Sequence, residues 1–272
     1  MDVTGTIDTR NPQATNREVR RIYQRLFGSA SFDRVEKVLE DIIKLYQRGY
    51  PGYQRCDVRY HDLEHTLQAY LAMARLCDGL IREEPARLPG ELVRLGLVSV
   101  LGHDSGYIKE EWDTQGTGAK YTLMHVERSK EFMGKYLAKI GFSPWQIQPV
   151  QNIISCTGVR MELSRIPFSS EEERLVGYLL GTADYLGQMS DPCYVDKLPI
   201  LYEEFVEGGV PGYASAQDLI EGTPQFFADF VMTLLTQDFH SVYQFAANHF
   251  GGRNLYIEGI RKNIDIIRKS LS

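Results

Sequence analysis

The chain has no apolar run approaching the roughly 18 residues that a membrane-spanning helix needs, so no membrane partner is expected. Its four cysteines, Cys56, Cys77, Cys156 and Cys193, are scattered and form no C-x-x-C pair. That argues against a disulfide framework or a thiolate metal site and for free thiols in a reducing compartment. Residues 1–16 carry no apolar signal-peptide core. These absences together make the cytoplasm the expected location. Positive charge is in deficit: 30 Lys and Arg face 36 Asp and Glu, a formal net charge of -6. No basic run is interleaved with aromatics, so a nucleic-acid polymer, whose phosphates need neutralising, is not an expected partner. Period-2 alternation, internal repeats and interior linkers are also missing.

What remains is helical. Within 272 residues, 43% hydrophobic and 24% charged, apolar side chains recur at three- and four-residue intervals. The pattern predicts one all-α domain, residues 17–272, of roughly nine to eleven helices, after a flexible tail at 1–16. Asp57 is the expected N-cap of a helix from Val58 to about Gly79, which would place His61 and His65 one above the other on a single face. Glu91 to Gly102 is apolar nearly all round and reads as a buried helix. Ser105 to Lys120 reads as a loop over the end of that helix, with Gly116 and Gly118 giving it the freedom of a lid. Ser170 followed by Glu171, Glu172 and Glu173 opens a helix carrying Asp184. Pro224 to about His249 and Leu255 to Leu271 close the chain as helices; the last either packs on the core or joins two copies in a homodimer.

Three segments bring metal-capable side chains in chain order: Tyr60-His61-Asp62-Leu63-Glu64-His65, then Leu101-Gly102-His103-Asp104-Ser105-Gly106, then Gly181-Thr182-Ala183-Asp184. Neutral imidazole and carboxylate are the usual ligands of borderline and hard divalent metals. Adjacent His103 and Asp104 can reach one ion if the chain turns after them, and Gly106 permits a turn. Asp184, between apolar neighbours, needs a cation or backbone donors. Four of the six histidines, His61, His65, His103 and His125, fall in one stretch. His240 and His249 lie far off in sequence and read as structural.

His65, His103-Asp104 and Asp184 resemble the ligand pattern of the HD-domain metal-dependent phosphohydrolase superfamily, which is all-α. Tyr60-His61-Asp62-x-x-His65 is similar to the Tyr-His-Asn-x-x-His segment of cyclic-nucleotide phosphodiesterase catalytic domains, and Ala183-Asp184 to their Ala-Asp segment. The resemblance runs over residues 58 to 192. It implies a first divalent metal on His65, His103, Asp104 and Asp184, and a second bridged by Asp104, the ions being Mn, Mg, Zn or Fe. It implies His61 as general acid, and His125 on the second metal or the substrate phosphate, with Glu127 as a rival for that place. The implied reaction is hydrolysis of a small-molecule phosphate ester, a diester or a nucleotide-like compound, by a metal-activated hydroxide. Lys109, Lys120 and Arg160 are candidates to grip the phosphate, and Tyr107 or Trp112 to stack on a base. The sequence departs from the phosphodiesterases at Tyr107, where they carry a further His, at Asp62 in place of their Asn, and around Gln225, whose spacing to Phe226 does not fit their purine-binding Gln. Other readings of the same residues are a phosphomonoesterase, a di-iron oxygenase of the HD type, and a ligand-sensing module without turnover.

Overall fold

A computed structural model describes residues 1–47, 49–158 and 162–271. Among them lie eleven α-helices and no strand; the only extended pairing is an isolated bridge between Tyr53 and Glu110. The all-α expectation and the number of helices are met.

The centre is α3, Leu63–Glu83, buried at almost every position from Leu63 to Leu80. It packs against α4, Gly90–Gly102, and α7, Glu171–Met189, which also touch each other. A helix apolar on all sides is stable only inside a protein, and α4 sits there. The outer layer on one side is α1, Pro12–Phe27, and α2, Asp33–Gln47; on the other it is α5, His125–Lys139, and α6, Pro144–Ile154. Then α8, Tyr194–Glu207, and α9, Ala216–Phe226, roof the open end, while α10, Phe245–His249, and α11, Leu255–Ser270, close the base. One contiguous core of buried side chains runs from Val19 to Ile267. The apolar face of α11, with Ile260, Ile264 and Ile267, is part of it.

Four expectations are corrected. The cap of α3 is Asp62, whose carboxylate accepts the His65 N–H at 3.0 Å, and not Asp57. Asp57 is drawn away to the Gly118 N–H at 2.8 Å and Lys109 Nζ at 2.9 Å. His61 therefore precedes the helix instead of lying on its face. Second, residues 1–16 are not a loose tail. Asn11 caps α1, Val3 and Ile7 pack on the core, and buried Asp2 accepts from Arg75 Nη2 at 2.5 Å. Third, the helix expected from Pro224 to His249 is split. Phe227–Val231 and Leu234–Asp238 are π-helical, and left-handed backbone at His240 and Ser241, φ 51° and 63°, ends the run.

Fourth, the stretch from Ser105 to Lys120 is no free lid. Ser105–Tyr107 is a buried 3-10 turn. Arg128 clamps the carbonyls of Gly106 and Ile108 at 2.8 and 3.0 Å. Gly118 is there for close approach: a Cβ on it would lie 1.8 Å from the Tyr107 carbonyl oxygen.

Candidate metal centre

His65 sits in the first turn of α3, oriented by the Asp62 cap. His103 ends α4, and Asp104 follows it at φ -105°, ψ 9°, where the chain leaves the helix for the 3-10 turn. Asp184 projects from the middle of α7. Three helices, α3, α4 and α7, thus meet at one point. His65 Nε2 lies 3.1 Å from Asp104 Oδ2 and 3.2 Å from Asp184 Oδ1. His103 Nε2 lies 3.3 Å and 3.8 Å from the same two oxygens. The ligand atoms of His65, His103 and Asp104 all fall within 4.8 Å of one another.

The hydrogen-bond accounting at this point is unusual. His65 Nε2, His103 Nε2 and Asp104 Oδ2 are deeply buried and lack a hydrogen-bond partner, as does His65 Nδ1. Buried polar atoms are nearly always satisfied, and three of these four face a common centre. His103 Nδ1–H donates to the Val100 carbonyl at 2.7 Å, which leaves its Nε2 lone pair aimed inward, as in metal-ligating histidines. Burial alone would push His65 down, but the neighbouring Asp104 and Asp184 carboxylates outweigh that and raise it to about 10. His103 is raised in the same way against its burial. Asp104 and Asp184 are held low by these histidines although burial opposes it. The two carboxylates demand positive charge here, and a divalent ion can supply it in place of protons.

Beside this cluster stands a second group. Tyr107 is stacked between His61, at 4.5 Å and 14°, and His125, at 4.6 Å and 17°. His125 Nδ1–H donates to the Thr122 carbonyl at 2.7 Å, and its Nε2 points to Asp104 Oδ1 at 3.6 Å. Burial lowers its pKa, which keeps a lone pair available. His61 Nδ1 bonds Glu204 Oε2 at 2.6 Å. A cavity of about 220 Å³ opens over His61, Asp104, His125 and Asp184.

The four residues expected on the first metal and His125 come together, but Glu127 and the expected phosphate and base contacts do not. Glu127 is 75% exposed and pairs with Lys130 at 2.8 Å, because it lies on the outer face of α5. Lys109 is buried between Asp57 and the Gly116 carbonyl. Lys120 is held by Asp113 at 2.5 Å. Trp112 is 78% exposed. Arg160 falls outside the described residues. Gln225 lies on the surface, bonded to Asp229. His249 is tied to Asp78 at 2.6 Å and His240 lies against Tyr178, both away from the centre.

Two residues escaped the sequence reading. Gln188 Nε2 donates to Asp184 Oδ1 at 3.1 Å, and its Oε1 accepts from the Tyr60 hydroxyl at 3.0 Å. Its place four residues after Asp184 on one helix was a usable signal. Glu204 on α8 is 143 residues from His61, and nothing in the sequence links them.

Fold and site together define an all-helical protein with a buried two-His, two-Asp centre flanked by two further histidines. The family model described as Npun_R2479-like matches residues 110–246, just over half of the chain, and the chain belongs to that family. The matched region holds His125, Asp184 and Glu204, while His61, His65, His103 and Asp104 precede it. No curated protein matches the chain.

Proposed function

We propose that this protein is a metal-dependent phosphohydrolase whose centre is His65, His103, Asp104 and Asp184. The observation that carries this reading is the set of inward-facing orphaned atoms on His65, His103 and Asp104, with the largely buried Asp184 carboxylate beside them. A divalent ion there supplies Lewis acidity, which neutralises phosphoryl oxygens and lowers the pKa of a water towards about 7. His125 and Asp104, whose Nε2 and Oδ1 lie 3.6 Å apart, are the residues that would hold a second ion.

The chain's own residues do the rest. Glu204 accepts the Arg59 N–H at 2.7 Å, the Tyr60 N–H at 2.6 Å and His61 Nδ1–H at 2.6 Å. Burial opposes its ionisation, but the bond from His61 outweighs burial and keeps it a carboxylate. In the proposed acid role His61 keeps its Nδ1–H on Glu204 and carries the proton it delivers on Nε2, at the wall of the cavity. His61 gives that proton to the departing ester oxygen and is left as the Nδ1–H tautomer, still bonded to Glu204.

The test is a metal-dependent activity panel. Protein stripped and reloaded with Mn²⁺, Mg²⁺, Zn²⁺ or Fe²⁺ is assayed on bis-p-nitrophenyl phosphate, p-nitrophenyl phosphate and nucleotides. Hydrolysis is expected to return with metal, and Asp104→Ala is expected to abolish it together with metal content by elemental analysis. Bound iron with oxygen consumption and no ester hydrolysis refutes the reading and favours an oxygenase. Full metal occupancy in Asp104→Ala refutes the ligand set.

A further inference from the structure

The cavity over the centre has a composition that narrows what it can hold. Its walls beyond the histidines and aspartates are largely aromatic and aliphatic, with Tyr185, Tyr194, Phe205, Tyr213, Phe226 and Phe230 prominent. Most of them come from the α8–α9 roof and the π-helical turn that follows it. No Lys or Arg among the described residues lines it. Three of its polar side chains are already engaged: Thr122 Oγ1 donates to the Ala119 carbonyl at 2.6 Å, Thr223 Oγ1 to the Leu219 carbonyl at 2.8 Å, and Gln188 bonds Asp184 and Tyr60.

Two consequences follow. Any negative charge on a substrate beyond the reacting phosphoryl group would meet two aspartates and no Lys or Arg. A substituent rich in hydroxyls or base edges would be desolvated against walls that are mostly aromatic and aliphatic. The volume, below the roughly 300–1,000 Å³ of pockets for drug-sized ligands, suits one ring system or a short chain.

Building on the phosphohydrolase reading above, we propose that the substrate is a monoanionic phosphodiester with an uncharged aromatic or aliphatic substituent, and not a nucleotide. The cavity binds that substituent, and the metal centre binds the phosphate.

The test compares three monoanionic diesters of different substituent: dimethyl phosphate, diphenyl phosphate and a nucleoside 3′,5′-cyclic phosphate. Binding to the Mn²⁺-loaded His61→Asn protein is measured by isothermal titration, so that turnover does not consume the ligand. Diphenyl phosphate is expected to bind at least roughly tenfold more tightly than either of the others, from the apolar area it buries. Phe230→Asp, at the half-exposed mouth, is expected to remove most of that advantage, and Phe230→Leu to retain it. Equal binding of the diphenyl and dimethyl esters, or tightest binding of the cyclic nucleotide, overturns the assignment. Hydrolysis of the same esters by the wild-type protein is followed in parallel. Turnover without the apolar preference sinks the pocket assignment alone. The preference without turnover of any ester supports the pocket and sinks the phosphohydrolase reading.

Discussion

At the scale of single residues, Glu204 has the longest reach. It holds the main chain at Arg59 and Tyr60 as well as the His61 ring, so it fixes both the position and the tautomer of the proposed acid. A neutral amide at this place keeps a hydrogen-bonding group but not the negative charge. His61→Asn is expected to lower kcat by about 10²–10⁴ on an ester with a poor leaving group, the usual contribution of a positioned acid, with metal content unchanged. Glu204→Gln is expected to fall in the same direction by less. On a p-nitrophenyl ester, whose leaving oxygen needs little protonation, both losses shrink. Because the two residues act as one unit, the double variant should be no worse than His61→Asn alone. Equal losses on good and poor leaving groups would remove His61 from the acid role, and additive losses would uncouple Glu204 from it.

At the scale of elements, the decisive piece is the turn joining α4 to the 3-10 segment. The sequence showed that His103 and Asp104 end an apolar helix and that Gly106 follows. It did not show why glycine is needed. Gly106 carries the start of α5 on its bare Cα: a Cβ there would lie 2.0 Å from the His125 carbonyl oxygen and 2.8 Å from the Ser129 nitrogen. Those are backbone atoms and cannot rotate aside. Gly106→Ala is expected to destabilise the fold by about 1–3 kcal/mol, the usual range for overpacking, and to displace His125 from Asp104. Denaturant unfolding and metal titration would measure the two effects; an unchanged midpoint would contradict the close packing. The candidate metal-binding cluster was legible because such residue types are few and cluster in sequence. The lysines were not, because Lys109 and Lys120 find partners only once Asp57 and Asp113 have been folded next to them. Asp57 looked like a helix cap for the same reason.

At the scale of the whole molecule, two buried charge clusters tie the ends of the chain to α3. Asp2 meets Arg75, which also donates to the Tyr256 hydroxyl at 3.1 Å, so the first residues, α3 and α11 share one contact. Asp78 meets Arg25 at 2.7 Å, Arg82 at 2.8 Å and His249 at 2.6 Å, which joins α1, α3 and α10. Burial opposes ionisation of both carboxylates, but Arg75 in one case, and His249 and Arg25 in the other, hold them below the ordinary value of 3.8. A depressed carboxylate stabilises the fold at pH above its unfolded value and loses that contribution as pH falls through its folded value. The contribution is therefore fully present at neutral pH and disappears below about 3.8. Removing one partner of a buried pair strands the other charge, so Asp2→Asn is expected to cost about 3–5 kcal/mol at pH 7. The same variant should lose less than the wild type on going from pH 5 to pH 3, because its side chain no longer titrates. Thermal unfolding across that range separates the outcomes: converging curves at acid pH mean that the ionised pair holds the N-terminal segment in place. Parallel curves mean that the segment is held by Val3 and Ile7 alone, with the charge pair contributing nothing.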